Sequence, residues 1–249
     1  MSETDLKAFF RQPMPEWSKG FSGWAQSELF HWAYGGGRGG ALKRELRRRS
    51  RRERKELQLW KQRFVTPKLA RWIYETLLPD PHLDEEDPWL DLRSALLSTI
   101  ALHQVEPPWK NEFFWREIEK YKTVRYGMWV VEAMAGHVGG LQDVPRFIAL
   151  YDDEDACPEV RGEALWGLAY LYGHDPEWDE ATRDVCLRAL HDLEIPYARV
   201  GACYLAAWTS RFEDEVLKLR EDETVALPGW GQTVGDYAKD AYMQYWERP

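Results

Sequence analysis

Residues 159–173, EVRGEALWGLAYLYG, decide how the rest of the chain is read. Spaced for a helix, Val160, Ala164, Leu165, Leu168 and Leu171 form one apolar row. Trp166 and Tyr170 then lie side by side, four residues apart, on the other face. A face turned to water does not ordinarily carry two large aromatics together. The stretch also recurs. VRYGMWVVEAMA from Val124 and ARVGACYLAAWT from Ala198 align with VRGEALWGLAYL from Val160, and their arginines fall at 125, 161 and 199, spaced 36 and 38 apart. Each segment follows a second helical pattern: NEFFWREIEKY, VPRFIALYDD and ATRDVCLRALHD. A period in the high thirties built of two helices predicts an α-solenoid, in which stacked helix pairs bury the faces that no pair buries alone.

This arrangement resembles HEAT repeats, especially the short bacterial kind. The resemblance rests on FIALYDDEDACPEVRGEALWGLA, CLRALHDLEIPYARVGACYLAA and, more loosely, FFWREIEKYKTVRYGMWVVEAMA. In each, an apolar first helix ends near an acid and Val-Arg or Ala-Arg opens a second helix. VLKLREDETVALPGWGQTVGDYAKDAYMQY looks like a degenerate closing repeat with TVGDYAKDA as its second helix, so the likeness spans about residues 111–245. DLRSALLSTIALH, from Asp91, reads as the second helix of an earlier pair. The resemblance implies that the arginines and the acids seven or eight residues before them (Glu117, Asp153 and Asp192) form a structural ladder tying repeat to repeat. It also implies that Val130, Trp166 and Tyr204, and one turn on Met134, Tyr170 and Trp208, are equivalent positions on an inner, concave face. Gly127, Glu163 and Gly201 fall one turn before, and the two glycines would leave room there. A patch of this size is expected either to bind a partner or to be covered by the chain's own aromatic start, FFRQPMPEWSKGFSGWAQSELFHWAY.

The bounds agree with a folded helical protein. The chain has 249 residues, 30% charged and 44% hydrophobic, with 14 Trp, 12 Tyr and 9 Phe. Strand-like alternation is absent, so the expected class is all-α. Residues 1–40 read as an aromatic segment closed by YGGGRGG, 41–110 as a helical region opening on a basic helix 41–64, and 111–249 as the repeats; 41–249 can also be one continuous domain. Leu42, Leu46, Leu57, Trp60 and Phe64 mark the apolar side of the basic helix. Asp87-Pro88 and Asp175-Pro176 are N-cap and first-turn signals, and Gly139-Gly140 and Gly173 suit helix ends. The start is unlike a signal peptide, no apolar run reaches membrane length, and Cys157, Cys186 and Cys203 lack a CxxC; a cytoplasmic setting away from membranes is expected.

Charge is uneven. Residues 38–63 hold twelve Lys or Arg and three Glu, a local +9 in a chain of net −9. Arg44, Arg47, Arg48, Arg51, Arg52 and Lys55 are the candidate contacts for an anion or nucleic acid, against an acidic partner, the chain's own acids or plain solvation. GGGRGG is no phosphate loop, since no strand precedes it and no GK[ST] follows. The acidic runs 80–88 and 151–159 have no EF-hand spacing, the six histidines form no HExxH, and no nucleophile elbow is present. No metal, cofactor or catalytic residue is therefore expected. The expected function is binding of a macromolecule, first a protein, in the manner of an inhibitor, immunity or adaptor protein. The contrasting expectation is a nucleic-acid-binding HEAT-like protein such as a DNA glycosylase for alkylated bases, and a lyase acting on bilin pigments shares only the repeat pattern.

Overall fold

A computed structural model describes residues 15–18, 40–64, 66–78, 90–101, 109–172 and 178–247. Among the described residues the regular structure is helical, with one isolated β-bridge between Val225 and Thr233. The chain divides into two compact units, Met1–Lys110 and Asn111–Pro249. The aromatic start lies outside the described residues except for the short turn Glu16–Ser18. The signals at Asp87-Pro88, Gly173 and Asp175-Pro176 and the acidic run 80–88 lie outside them too.

The first unit holds α1 (Gly40–Arg47), α2 (Arg51–Phe64), α3 (Pro67–Trp72) running on into a π turn at Ile73–Leu77, and α4 (Leu90–Ala101). Leu42, Leu46, Leu57 and Trp60 are buried; the side chain of Phe64 is outside the described residues. The single basic helix expected over 41–64 is instead two helices, broken at residues 48–50. The reason is local. Ser50 and Glu53 form a reciprocal cap: Glu53 N–H donates to Ser50 Oγ at 3.2 Å, and Ser50 N–H donates to Glu53 Oε2 at 2.8 Å. This S-x-x-E box starts a new helix inside a run that charge alone reads as continuous. Thr66 caps α3 in a similar way, accepting from Leu69 N–H, with Pro67 opening the helix.

The second unit holds α5 (Trp109–Tyr121, entering from Trp109 and Lys110), α6 (Tyr126–His137), α7 (Val144–Asp152), α8 (Pro158–Tyr172), α9 (Glu180–Leu190), α10 (Pro196–Trp208), α11 (Glu213–Leu219) and α12 (Val234–Tyr245). α8 packs on α6 and α10, and α10 packs on α12, so these four helices are neighbours in sequence order. α7 lies on α8 and α9, and α9 on α10. The apolar row of the opening stretch is the core, as its spacing requires: Val160, Ala164, Leu165 and Leu168 are fully buried. Leu171 is half-buried.

Acids between helices tie neighbours together, with partners that differ from the expected pairing at Asp153 and Asp192. Asp153, Asp192 and Asp222 each accept the backbone N–H two residues on. Each is also taken by a side chain from an earlier turn or helix: Lys122 Nζ reaches Asp153 at 2.8 Å, Tyr151 hydroxyl donates to Asp192 at 2.8 Å, and Arg199 pairs with Asp222. Arg161 turns to the Tyr151 carbonyl, with Nε at 2.7 Å, and Arg125 donates to the Pro228 carbonyl. The Arg161–Asp153 and Arg199–Asp192 rungs do not form. An Asp closing its own turn has a fixed carboxylate, and the cation or hydroxyl that meets it is the one the neighbouring element places there. A further node, absent from the sequence reading, is buried Asp143, which accepts from Trp115 Nε1 and Asn111 Nδ2, both at 2.9 Å, and joins α5 to the start of α7.

Candidate functional site: the aromatic face of α8, α10 and α12

Helical spacing sets three rows. On α8, Glu163, Trp166 and Tyr170 share a face; on α10, Tyr197, Gly201, Tyr204 and Trp208; on α12, Tyr237 and Asp240. Packing of α8 on α10 on α12 sets the rows beside one another. Trp166 and Tyr204 stack with ring centroids 4.4 Å apart and planes at 29°. Tyr170 meets Trp166 at 6.2 Å and the edge of Trp208 at 5.6 Å; Trp208 lies 6.4 Å from Tyr204 and 6.3 Å from Tyr245. The four aromatics picked from sequence are therefore one continuous cluster. Tyr170 is 43% exposed, Trp166 and Trp208 are half-buried, and Tyr204 is 8% exposed.

Gly201 serves the packing and leaves no room for a ligand. A Cβ there would stand 2.7 Å from Leu165 Cβ and 2.8 Å from the Trp166 backbone nitrogen, so α10 lies directly on α8 and the Trp166–Tyr204 stack follows. Gly127 likewise faces the Tyr121 carbonyl and Val160, both within contact of a Cβ.

Val130 and Met134 do not join this face: both are fully buried. Two physical causes combine. The sequence alignment sets the arginines equivalent, yet Arg161 and Arg199 lie in the first turns of helices opened by Pro158 and Pro196, whereas Arg125 precedes α6 as its N-cap residue. Arg125 has helical dihedrals, but the entry to α6 is wound tightly, with Gly127 and Met128 N–H each donating to the carbonyl three residues back, so the same offset from arginine falls on a different side of α6. In addition α6 is apolar around most of its circumference, and that part of it is buried. Its solvent-facing row runs through Trp129, Glu132 and Gly136.

The acids around the cluster were the least legible part. Glu163 is buried, accepting from the Tyr197 hydroxyl at 2.6 Å. Desolvation pushes its carboxyl up to about 8 against the ordinary 4.5; the Tyr197 bond opposes the rise and the charge of Glu132 adds to it. Glu132 reaches solvent with its surface, while the chain crowding it still raises its carboxyl by desolvation. Tyr204 donates to Asp240 Oδ2 at 2.5 Å, and Gln244 Nε2 donates to the same oxygen at 2.7 Å. Burial, then the neighbouring carboxylates, raise the hydroxyls of Tyr197, Tyr204 and Tyr170, so all three remain protonated donors at neutral pH. The signal for Glu163 was present in the sequence, an acid three residues before Trp166 on the same face, but burial is not visible in spacing.

The basic candidates are elsewhere. Arg44, Arg47, Arg48, Arg51, Arg52 and Lys55 are exposed on α1, the break and α2. Arg52 pairs with Glu56 at 3.5 Å; Arg44, Arg47, Arg48, Arg51 and Lys55 have no ion pair among the described residues. No group of three or more His, Cys, Asp or Glu is arranged to hold a metal among the described residues, and no helix there is long and apolar enough to cross a membrane. Set against family models, curated proteins and solved structures, the chain matches none of them.

Proposed function

We propose that the second unit is a HEAT-like solenoid that binds a protein partner on the aromatic face of α8, α10 and α12, as a binding module rather than an enzyme. One observation carries the reading: four large rings from two successive second helices meet in one cluster, and the outermost, Tyr170, is 43% exposed. Large rigid aromatics supply contact area at low entropic cost and dominate binding hot spots. The succession of α6, α8, α10 and α12, with α7 and α9 behind, supports the solenoid.

The test is a display selection of peptides against the full chain, followed by binding to Tyr170→Ala. Peptides of this face should lose about 2 kcal/mol or more of affinity with that variant, while its melting temperature stays near that of the wild type. Selected peptides that bind Tyr170→Ala as well as the wild type would remove the reading.

A second reading has its own observation, the exposed cations of α1, the break and α2, of which Arg44, Arg47, Arg48, Arg51 and Lys55 have no ion pair among the described residues. Contact with nucleic acid there gives an affinity that falls steeply with salt, because each phosphate contact releases counterions. Replacing Arg47, Arg48, Arg51 and Arg52 with Glu should then abolish binding to duplex DNA. A glycosylase, the enzymatic form of that reading, is disfavoured by the second unit's 14 Lys or Arg against 27 Asp or Glu.

A further inference from the structure

Arginines and lysines of this chain lie over many of its rings: Arg49 over Trp17, Arg71 over Trp109, Arg146 over Trp115, Arg188 over Tyr151, Arg211 over Trp178 and Arg220 over Tyr242. Among the described residues, Trp166, Tyr170 and Tyr204 have no such cation. The carboxyls around them are in the same state. Glu163 is bonded to a tyrosine, Asp240 to a tyrosine and an amide, and neither these two nor Glu132 forms an ion pair among the described residues. Stacked rings without a cation, beside acids without a counter-cation, form a surface with one kind of partner group missing.

We propose that this face takes the guanidinium of an arginine presented by a basic partner protein, lying against the exposed Tyr170 and half-buried Trp166 rings and drawn there by the carboxyls of Glu132, Asp240 and the enclosed Glu163. The proposal rests on the protein-binding reading and names its chemistry. Arginine fits better than other cations. Trp166 and Tyr204 already stack on each other, so the ring left open is Tyr170, 43% exposed, and a planar guanidinium lies against such a ring face better than a compact ammonium does. Five N–H groups also suit several carboxylate acceptors, where a quaternary ammonium has none to give. The net charge of the second unit, 27 acids to 14 bases, steers such a partner toward it.

A linked proton makes the proposal testable. Free, Glu163 holds its proton up to about pH 8, facing Tyr197 from α10, Glu132 from α6 and Tyr170 on its own helix. A guanidinium favours the ionised form, so binding releases that proton and tightens as pH rises from 6 toward 8.

The experiment uses the full chain and a short Gly-Ser peptide carrying central arginines, compared with its citrulline version, the uncharged isostere, by calorimetry at pH 6, 7 and 8.5. The arginine peptide should bind about tenfold or more tightly than the citrulline peptide. Glu163→Gln should flatten the pH dependence, and Asp240→Asn, which keeps an acceptor for Tyr204, should weaken binding. Melting curves on each variant establish that it is folded. Glu154→Gln with Asp155→Asn, exposed acids in the turn after α7, should leave affinity unchanged, separating a site from general attraction to an acidic surface. Equal binding of the two peptides, an effect of the Glu154/Asp155 variant as large as that of Asp240→Asn, or no binding of the arginine peptide overturns the inference. Display-selected peptides that still depend on Tyr170 would keep the protein-binding reading standing in that event.

Discussion

Glu163 couples stability to pH through a single buried carboxyl. Its pKa is raised from the ordinary 4.5 to about 8, mainly by desolvation. Between those values the folded chain holds a proton that the unfolded chain gives up. Stability is therefore fully present below about 4.5 and is lost as pH rises through 8. Glu163→Gln imitates the protonated acid and still accepts from Tyr197, so it should come close to the wild type at pH 5 and exceed it by roughly 4 kcal/mol more at pH 9. Urea titrations at the two pH values read this directly; parallel losses in both proteins would refute it. At the same scale, Gly201 shows why a small residue sits in the aromatic row. The neighbour of an added Cβ is the α8 backbone at Trp166, which cannot rotate away. Gly201→Ala should cost about 1–3 kcal/mol and shift tryptophan fluorescence as Trp166 and Tyr204 separate; an unchanged melting curve would contradict the close packing.

At the scale of elements, two helix starts decided what the repeat pattern could not. Ser50 and Glu53 break the basic run into α1 and α2. The motif was legible, because S-x-x-E is a capping box, but a long stretch of arginine and lysine reads as one solvated helix when charge is weighed first. Ser50→Ala removes the side-chain acceptor and should cost about 1 kcal/mol, with hydrogen exchange rising first in the amides at the start of α2. Exchange unchanged there would mean that the cap contributes nothing. The start of α6 is the other case. Pro158 and Pro196 open α8 and α10 and place their arginines inside the first turn, while no proline stands before Arg125 and α6 begins after it. Spacing between motifs therefore carried the rows of Trp166 and Tyr204 correctly onto each other and misplaced Val130 and Met134.

For the whole molecule, the two units are each expected to own a core. The boundary falls between Lys110 and Asn111, two residues into α5, so a fragment meant to keep the second unit intact starts at Trp109. About 140 residues are enough to bury a substantial core. Residues 109–249 should then melt cooperatively with a helical far-UV spectrum. A gradual transition, or a large β signal in either the fragment or the full chain, would contradict the architecture. The charge of the molecule is divided in the same place: 19 Lys or Arg against 15 Asp or Glu in the first unit, the reverse balance in the second. The two proposed kinds of contact follow that division, anions for α1 and α2 and cations for the face of α8, α10 and α12.

The sequence by itself determined that the chain is helical and which residues of α8 face the core, because a helix repeats every 3.6 residues and apolar spacing follows that period directly. It also placed Trp166 with Tyr170 and Tyr204 with Trp208, since equivalent offsets in two helices that start alike must coincide. Only the tertiary structure decided that Tyr204 is buried and Tyr170 exposed, that Glu163 is enclosed with Tyr197, that Asp240 from α12 meets Tyr204, and that Asp153, Asp192 and Asp222 take Lys122, Tyr151 and Arg199 as partners. These contacts join residues 23 to 41 positions apart on different elements. Their formation depends on how closely and at what rotation helices pack, and the local period of one helix carries no record of its neighbour's.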